Sequence, residues 1–230
     1  MRRKLHIKRV VGILGGLFLL AAALFAVHRF QVQRNAYRLL ELGDRAVEEG
    51  DYEKARTCYS HYLHYAPNDA DTAQKYAQVL DKTGGEPLAL LNLMEQVLRL
   101  KPAENALRLR LVEHLIDLGR IPDALEHLKK LIGQGGNQAE LYHKRGWCQD
   151  ANRDYEQAAQ SFREAIKLDP RQIMSYALLA EVLQYRLNEP DEALKVMDDM
   201  VKSNQDAYLA YLLRSRFDRQ GSKTKRSIPE

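Results

Sequence analysis

The order of apolar and polar residues divides the chain into one unbroken apolar stretch and a longer region of mixed pattern. Residues 10–27, VVGILGGLFLLAAALFAV, contain 18 positions without a charged or strongly polar side chain. As a helix they would extend about 27 Å, close to the roughly 30 Å hydrocarbon core of a bilayer, and Phe30 could lengthen the span at the interface. This pattern predicts one transmembrane helix.

The region that follows repeats a pattern of small, aromatic and proline positions. The segment GDYEKARTCYSHYLHYAP at 50–67 returns as RDYEQAAQSFREAIKLDP at 153–170. The two copies lie 103 residues apart, close to three times 34. Repetition at about 34 residues predicts a stack of helix pairs, because a single pair cannot bury its apolar face alone. Alignment on the prolines gives five units of 34 or 35 residues: 36–69, 70–104, 105–138, 139–172 and 173–207. A sixth pattern, 208–219, supplies only a first helix, which would cap the stack.

Each recurring position has a packing role. Small residues would let the two helices of a pair approach closely, a larger apolar residue would fill the core, and a proline would end the second helix. The small positions in first helices are Gly43, Ala77, Gly146 and Ala180, and those in second helices are Ala55, Ala124, Ala158 and Ala193. The core position holds Tyr59, Met94, Leu128, Phe162 and Met197, and the prolines are Pro67, Pro102 and Pro170.

These positions strongly resemble those of the tetratricopeptide repeat family, over about 172 of the 230 residues. The resemblance implies an all-α fold: an N-terminal transmembrane helix, then a right-handed α-solenoid of about five helix pairs and a capping helix. It also implies a scaffold that binds a protein or peptide on a concave wall of first helices. The chain further resembles the anchored repeat proteins of bacterial envelopes that assist secretion, envelope assembly or cytochrome maturation.

Charge is distributed unevenly along the chain. Residues 1–34 carry seven basic side chains and no acid, residues 214–230 carry six basic side chains, and residues 35–213 carry 22 basic against 29 acidic ones. The basic isoelectric point therefore reflects the two ends, and it does not indicate nucleic-acid binding. Five basic residues precede the apolar stretch and three follow it closely, so the positive-inside rule predicts a cytoplasmic N-terminus and repeats outside the cytoplasm.

The predicted organisation is a basic cytoplasmic segment (1–9), a transmembrane signal-anchor helix (10–27), a juxtamembrane linker (28–35), the solenoid (36–219) and a basic polar tail (220–230). A cleavable signal peptide with a site at Ala21-Ala22-Ala23 is an alternative. The pair Gly12 and Gly16 forms a GxxxG pattern, which would permit a homodimer of spans. Another alternative is that the chain is the N-terminal region of a longer repeat protein.

The family's inward-facing positions predict the residues of the concave wall. They are Tyr37, Leu40, Asp44, Glu48, Asp71, Gln74, Gln78, Asp81, Leu109, Glu113, Asp117, His143, Trp147, Asp150, Ala177, Glu181 and Tyr185. This wall would be acidic with aromatic patches and would suit a basic or apolar segment. Trp147 would face outward as a binding anchor, or it would pack against an adjacent first helix.

No pattern for catalysis accompanies the repeats. G-x-S-x-G, HExxH, P-loop and GxGxxG motifs are absent from the sequence, so we predict no enzyme activity and no cofactor. Cys58, His61 and His64 are spaced three residues apart, but steps of three turn ligands onto diverging helix faces. We therefore predict no metal site; a metal-binding or catalytic protein that uses these histidines or acid pairs such as Asp198-Asp199 is the remaining alternative.

Overall fold

The computed structural model describes the backbone of residues 7–135 and 137–226, and the side chains of residues 14–31, 33–135 and 137–219. Over this part of the chain the structure consists of eleven α-helices and contains no strand. The helices belong to two compact units that divide after Ala103. Each unit is a series of antiparallel helix hairpins in which successive helices pack together.

The first unit contains α1 (Ile7–Glu48), α2 (Tyr52–Tyr65), α3 (Ala70–Thr83) and α4 (Pro87–Leu100). Each helix contacts the next one along the chain. Ala46, Ala55, Tyr59 and Val79 form a buried cluster in this unit. The C-terminal half of α1 therefore pairs with α2 as a first repeat, and α3 and α4 form the second.

Helix α1 is unusually long because nothing in its sequence interrupts it. Between Val27 and Gly43 there is no proline or glycine, so the helix continues through residues 28–35. The segment assigned above to a juxtamembrane linker is thus helical. Within α1, residues Leu14–Glu48 include a window long and apolar enough to cross a membrane, and none of that window is buried.

The second unit contains α5 (Asn105–Asp117), α6 (Ile121–Gln134), α7 (Gln138–Ala151), α8 (Tyr155–Leu168), α9 (Ile173–Tyr185), α10 (Pro190–Ser203) and α11 (Tyr208–Arg226). Helix α11 packs on α9 and α10. It contributes buried Ala210 and Phe217 to the core formed by α8, α9 and α10. It continues to Arg226, so most of the segment expected as a polar tail is helical. This fits the absence of proline from residues 208–228.

The turn inside every hairpin contains one residue in the left-handed conformation. In the first four hairpins the residue after it donates its backbone N–H to a carbonyl five residues earlier, as from Asp51 to Ala46 and from Asp154 to Gln149, both at 2.8 Å. In the fifth hairpin Glu189 donates to Leu183, six residues earlier, at 2.8 Å. This arrangement ends a helix by satisfying its last carbonyl groups. The left-handed residues are Gly50, Gly84, Gly119, Arg153 and Asn188.

Glycine allows close approach of the paired helices in two repeats. A Cβ atom built on Gly43 would lie 2.6 Å from Cε1 of Tyr59, and one built on Gly146 would lie 2.8 Å from Cδ1 of Phe162. Both rings are almost fully buried. The other small positions are buried alanines: Ala55, Ala77, Ala124, Ala158, Ala180 and Ala193.

The pair α7 and α8 is also joined by buried polar groups. Arg145 Nε donates to Ser161 Oγ at 2.9 Å, and the Ser161 hydroxyl donates to Gln149 Oε1 at 2.5 Å. The Gln149 amide donates in turn to Gln157 at 3.2 Å. Because each member of this chain of hydrogen bonds has a partner, the polar residues are accommodated in the helix contact.

Candidate functional site

In the first unit, three of the predicted wall residues line one cavity of about 410 Å³, namely Asp44, Glu48 and Gln78. Two lysines, Lys75 and Lys82, line the same cavity. The ammonium group of Lys75 lies 2.7 Å from Asp44 Oδ1, so the cavity combines both signs of charge. The wall of this unit is therefore less acidic than the acids alone predicted.

Asp44 also accepts a hydrogen bond from the hydroxyl of Tyr59 at 2.8 Å. Burial, the hydrogen bond to Asp44 and its negative charge raise the pKa of Tyr59 well above its ordinary value. The carboxylate thus joins α1, α2 and α3 in the fold. A substitution of Asp44 would disturb the packing of the repeat as well as any bound partner.

Other predicted residues of this unit lie elsewhere. Tyr37 lines a separate cavity of about 280 Å³ with Arg29, Tyr62 and Tyr65. Leu40 is partly buried against the cluster around Tyr59. Gln74 and Asp81 are half-buried on α3. The predicted residues of the first unit therefore lie in two separate cavities, against the buried cluster, or on α3 outside both cavities.

In the second unit, Trp147 of α7 is 40% exposed. Its neighbour Gly146 occupies the contact with Phe162, and the ring of Tyr142 lies under the guanidinium of Arg145 at 4.5 Å. On α9, Tyr185 is also exposed. Two aromatic side chains are therefore accessible on first helices of this unit.

Acidic side chains accompany these aromatic residues. Glu113 accepts hydrogen bonds from Arg110 at 3.0 Å and from Lys144 at 3.4 Å. Asp150 lies 3.9 Å from Arg186, which links α7 to α9. Burial, and then the charge of Asp150, raise the pKa of Glu181. Asp117 at the end of α5 is also exposed. We name these acidic and aromatic residues the Trp147 surface: Glu113, Asp117, Trp147, Asp150, Glu181 and Tyr185.

Three further residues predicted for the wall of this unit, His143, Leu109 and Ala177, have other surroundings. His143 Nδ1 lies 2.8 Å from Ser175 Oγ, and its ring centroid lies 5.9 Å from that of Phe162. Burial and the charge of Lys144 lower the pKa of His143. Through Ser175 and Phe162, the histidine contributes to the contact between helices. Leu109 is half-buried on α5. Ala177 lines a cavity of about 320 Å³ with Glu181, Arg216 and Phe217.

An ion pair recurs between consecutive repeats, and the sequence reasoning missed it. Asp44 pairs with Lys75 and Glu113 pairs with Lys144, an acid and a lysine separated by 31 residues in each case. The lysine that follows an acid at this spacing was the available signal. In the fourth unit the corresponding position is Trp147, and the residue 31 positions later is Leu178, so neither position carries a charge there.

The three residues of the alternative metal site, Cys58, His61 and His64, differ in exposure. Cys58 is buried, whereas His61 and His64 are exposed. Among the residues that the structure describes, no group of three His, Cys, Asp or Glu side chains could hold a metal ion. Cys58 and Cys148 are both free and buried, and burial raises the pKa of Cys148 to about 11.

Comparisons with known proteins agree with this architecture. Two sequence models of the tetratricopeptide repeat match the chain, over residues 139–172 and 89–147. No curated protein sequence matches it significantly. The matched region, residues 89–172, therefore contains tetratricopeptide repeats, and such repeats support a role as a scaffold for protein–protein interaction.

Solved structures show the same fold. A crystal structure of MamA is 19% identical and has a TM-score of 0.63, with 74% of this chain and 92% of that chain covered. MamA from Desulfovibrio magneticus RS-1 is 18% identical with a TM-score of 0.60, and the match covers 75% of this chain and 97% of that chain. YrrB, described as a tetratricopeptide repeat protein with an unusual peptide-binding site, is 18% identical with a TM-score of 0.63, covering 77% and 90%.

Proposed function

We propose that this protein is a membrane-anchored scaffold that binds a protein segment outside the cytoplasm through the Trp147 surface. The observation that carries the proposal is the exposure of Trp147 at the position that holds the ion-paired acids Asp44 and Glu113 in two other repeats. Exposed aromatic residues on a rigid helix are the usual anchors of protein interfaces, since they bury a large area with little loss of entropy.

The N-terminal half of α1 supports the anchor. Its large apolar side chains are exposed around the whole helix, including Leu14, Phe18, Phe25 and Phe30 at 60%, 74%, 65% and 66%. A surface of this size would be unfavourable in water and favourable in a bilayer. Together with the charge asymmetry of the sequence, this supports a single span with the repeats on the extracytoplasmic side.

The chemistry of the Trp147 surface favours a particular kind of partner. Glu113 and Asp150 have basic neighbours, whereas Asp117 is an exposed acid at the end of α5. A segment with an apolar side chain for Trp147 and a basic residue for Asp117 would complement this surface. The peptide-binding site named for YrrB is consistent with such an occupant on this fold.

Site-specific photo-crosslinking in membranes tests the proposal. A photoreactive phenylalanine analogue at position 147 should crosslink one recurrent protein, and the same analogue at Tyr208, which is 79% exposed on α11, should not. An unlabelled chain with Trp147→Ala should no longer compete for that protein, with an affinity loss of about 30-fold or more. Competition by Tyr208→Ala should be unchanged.

A charge reversal provides the second arm. Asp117→Lys should weaken competition several-fold at low salt and less at high salt, because exposed charges act mainly by steering. Equal crosslinking at 147 and 208, or full competition by Trp147→Ala, would show that the partner binds elsewhere. Asp44 is unsuitable for this purpose, since its charge stabilises the first unit.

A further inference from the structure

The end of the α1–α2 hairpin nearest the apolar stretch contains a cleft. Helix α1 leaves the apolar segment, and α2 returns antiparallel to it and ends at Tyr65. The cleft has a volume of about 280 Å³ and is lined by Arg29, Gln33, Ala36, Tyr37, Tyr62, Tyr65 and Ala66. We name it the juxtamembrane cleft. Tyr37 and Tyr65 are 58% and 53% exposed at its edge.

The continuity of α1 fixes the height of this cleft relative to the apolar stretch. Counted from Phe30 at 1.5 Å per residue, Gln33 lies about 4.5 Å and Tyr37 about 10 Å along the helix axis. The headgroup layer on each side of a bilayer is roughly 5–8 Å thick. With the apolar stretch in the hydrocarbon core, the cleft is therefore level with the headgroups and the water just beyond them.

The charge around the cleft has one sign. Residues 28–40 and 61–68 contain no acid. Arg29 lines the cleft, and Arg34 and Arg38 are exposed on another face of the same part of α1. Within the described part of the chain none of the three has an acidic partner.

The acids that follow α2 already have partners. The carboxylate of Asp69 accepts a hydrogen bond from Tyr62 at 2.7 Å, and Asp71 forms an ion pair with Lys101. This end of the first unit therefore presents uncompensated arginines together with tyrosines. That combination suits an anionic surface that has an apolar layer beneath it.

We propose that the juxtamembrane cleft binds the phosphate headgroups of anionic phospholipids in the bilayer that holds α1. Arginine contacts phosphate through two parallel N–H groups, and tyrosine places an apolar ring and a polar hydroxyl at the same interface. Each arginine at an anionic surface contributes about 1 kcal/mol. The inference rests on the proposed function in one respect, because it requires the anchor to be in the membrane.

This contact would attach the first repeat to the membrane at two places, through α1 itself and through the end of α2. Because the two helices are packed along their shared length, the contact at Tyr65 would limit rotation and tilt of the hairpin. The side of the first unit formed by α3 would then have a defined orientation relative to the bilayer.

Tryptophan fluorescence of the full chain in vesicles tests the inference. Trp147 is the sole tryptophan of the sequence, so Trp147→Phe provides a silent background. Tyr65→Trp places a probe at the cleft, and Tyr52→Trp places a matched probe on the same helix about 20 Å away. Vesicles contain phosphatidylcholine alone or with phosphatidylglycerol, in each case with or without acyl chains brominated near the carbonyl.

We expect brominated lipid to quench the probe at 65 and not the probe at 52. Quenching at 65 should be about twofold stronger with phosphatidylglycerol than without it, because anionic lipid draws the arginines to the surface. In an Arg29→Gln, Arg34→Gln, Arg38→Gln background that lipid dependence should disappear. Circular dichroism verifies that each variant keeps its helix content.

Flotation of the same samples separates the two ideas. A chain that fails to float with vesicles overturns the anchor and hence the proposed function. A chain that floats but shows equal quenching at 65 and 52, or equal quenching in both lipid compositions, overturns the headgroup site and leaves the anchor in place. Binding of the cleft to another protein instead of lipid would give this second result.

Discussion

Single residues decide how closely the paired helices approach. Gly146 lies against the ring of Phe162, and a Cβ atom there would fall 2.8 Å from two of its ring carbons. Real Cβ contacts are longer, so the ring or a helix would have to move. Gly133 provides a contrast, because it lies within α6 and a Cβ atom there would meet nothing within 4 Å.

Gly146→Ala and Gly133→Ala should therefore change stability in opposite directions. We expect Gly146→Ala to lower the free energy of unfolding by about 1–3 kcal/mol through overpacking. Gly133→Ala should raise it by about 0.5–1 kcal/mol, because alanine favours a helix interior more than glycine does. Urea unfolding followed by circular dichroism measures both. A stabilising Gly146→Ala would mean that the helices do not meet at this residue.

Arg153 is the residue that conforms least well to its turn. Its φ angle is +67°, in the region occupied by glycine in the first three hairpins. The left-handed conformation costs an ordinary residue about 1–2 kcal/mol, whereas glycine adopts it freely but loses more entropy on folding.

Arg153→Gly should consequently stabilise the chain by about 0.5–1 kcal/mol, the difference between these two effects. The reverse change in an equivalent turn, Gly119→Arg, serves as the matched variant and should destabilise by a similar amount. Thermal unfolding compared at one scan rate tests both predictions. A destabilising Arg153→Gly would show that the exposed arginine side chain stabilises the fourth repeat.

At the scale of elements, the connection between α2 and α3 depends on one carboxylate. Asp69 Oδ1 accepts the backbone N–H groups of Asp71 and Thr72 at 3.1 and 3.2 Å, which caps α3. Its Oδ2 accepts the hydroxyls of Tyr62 at 2.7 Å and Thr72 at 3.0 Å. Burial disfavours the charged carboxylate, but these hydrogen bonds outweigh burial and lower the pKa of Asp69.

The substitution Asp69→Asn tests this connection through pH. Asparagine still caps a helix, but its NH₂ group cannot accept from Tyr62, so we expect a loss of about 1–2 kcal/mol at pH 7. Because the folded pKa is lowered, the contribution of Asp69 is complete above its unfolded pKa of about 3.9 and is lost as pH falls through the folded value. The difference between the two chains should therefore shrink below about pH 4.

Asp51→Asn is the control for simple capping. In the described structure the carboxylate of Asp51 accepts one hydrogen bond, from the backbone N–H of Lys54. Since asparagine and aspartate cap about equally well, its substitution should change stability by about 0.5 kcal/mol or less. A pH-independent loss in Asp69→Asn would place the effect in packing instead of charge.

At the scale of the whole molecule, repetition made the fold predictable and left the surface largely unpredictable. Glycine, alanine, aromatic and proline positions recur at 34 or 35 residues because each repeat solves the same packing problem, and the helix pairs were confirmed. The pairing of Asp44 with Lys75 was missed, since it depends on which first helix lies alongside which. The contact of His143 with Ser175 of the next repeat was missed for the same reason, and its role on the wall stays a prediction.

The charges that flank the apolar stretch should decide which way the chain crosses the membrane. Exchange of the five basic residues before the apolar stretch (Arg2, Arg3, Lys4, Lys8 and Arg9) for glutamine would leave the positive charge on the other side, at Arg29, Arg34 and Arg38. Under the positive-inside rule, the span should then invert in a large fraction of molecules. An alkaline phosphatase fused after Glu230, active only outside the cytoplasm, should lose most of its activity.

Exchange of Arg29, Arg34 and Arg38 for glutamine is the matched control, because it removes charge from the translocated side and should keep the fusion active. The mass of the mature chain distinguishes an anchor from a cleaved signal peptide in the same cells. High phosphatase activity after loss of the five N-terminal charges would show that another feature of the chain sets its orientation. An inactive fusion on the unchanged chain would place the repeats, and the partner of the Trp147 surface, in the cytoplasm.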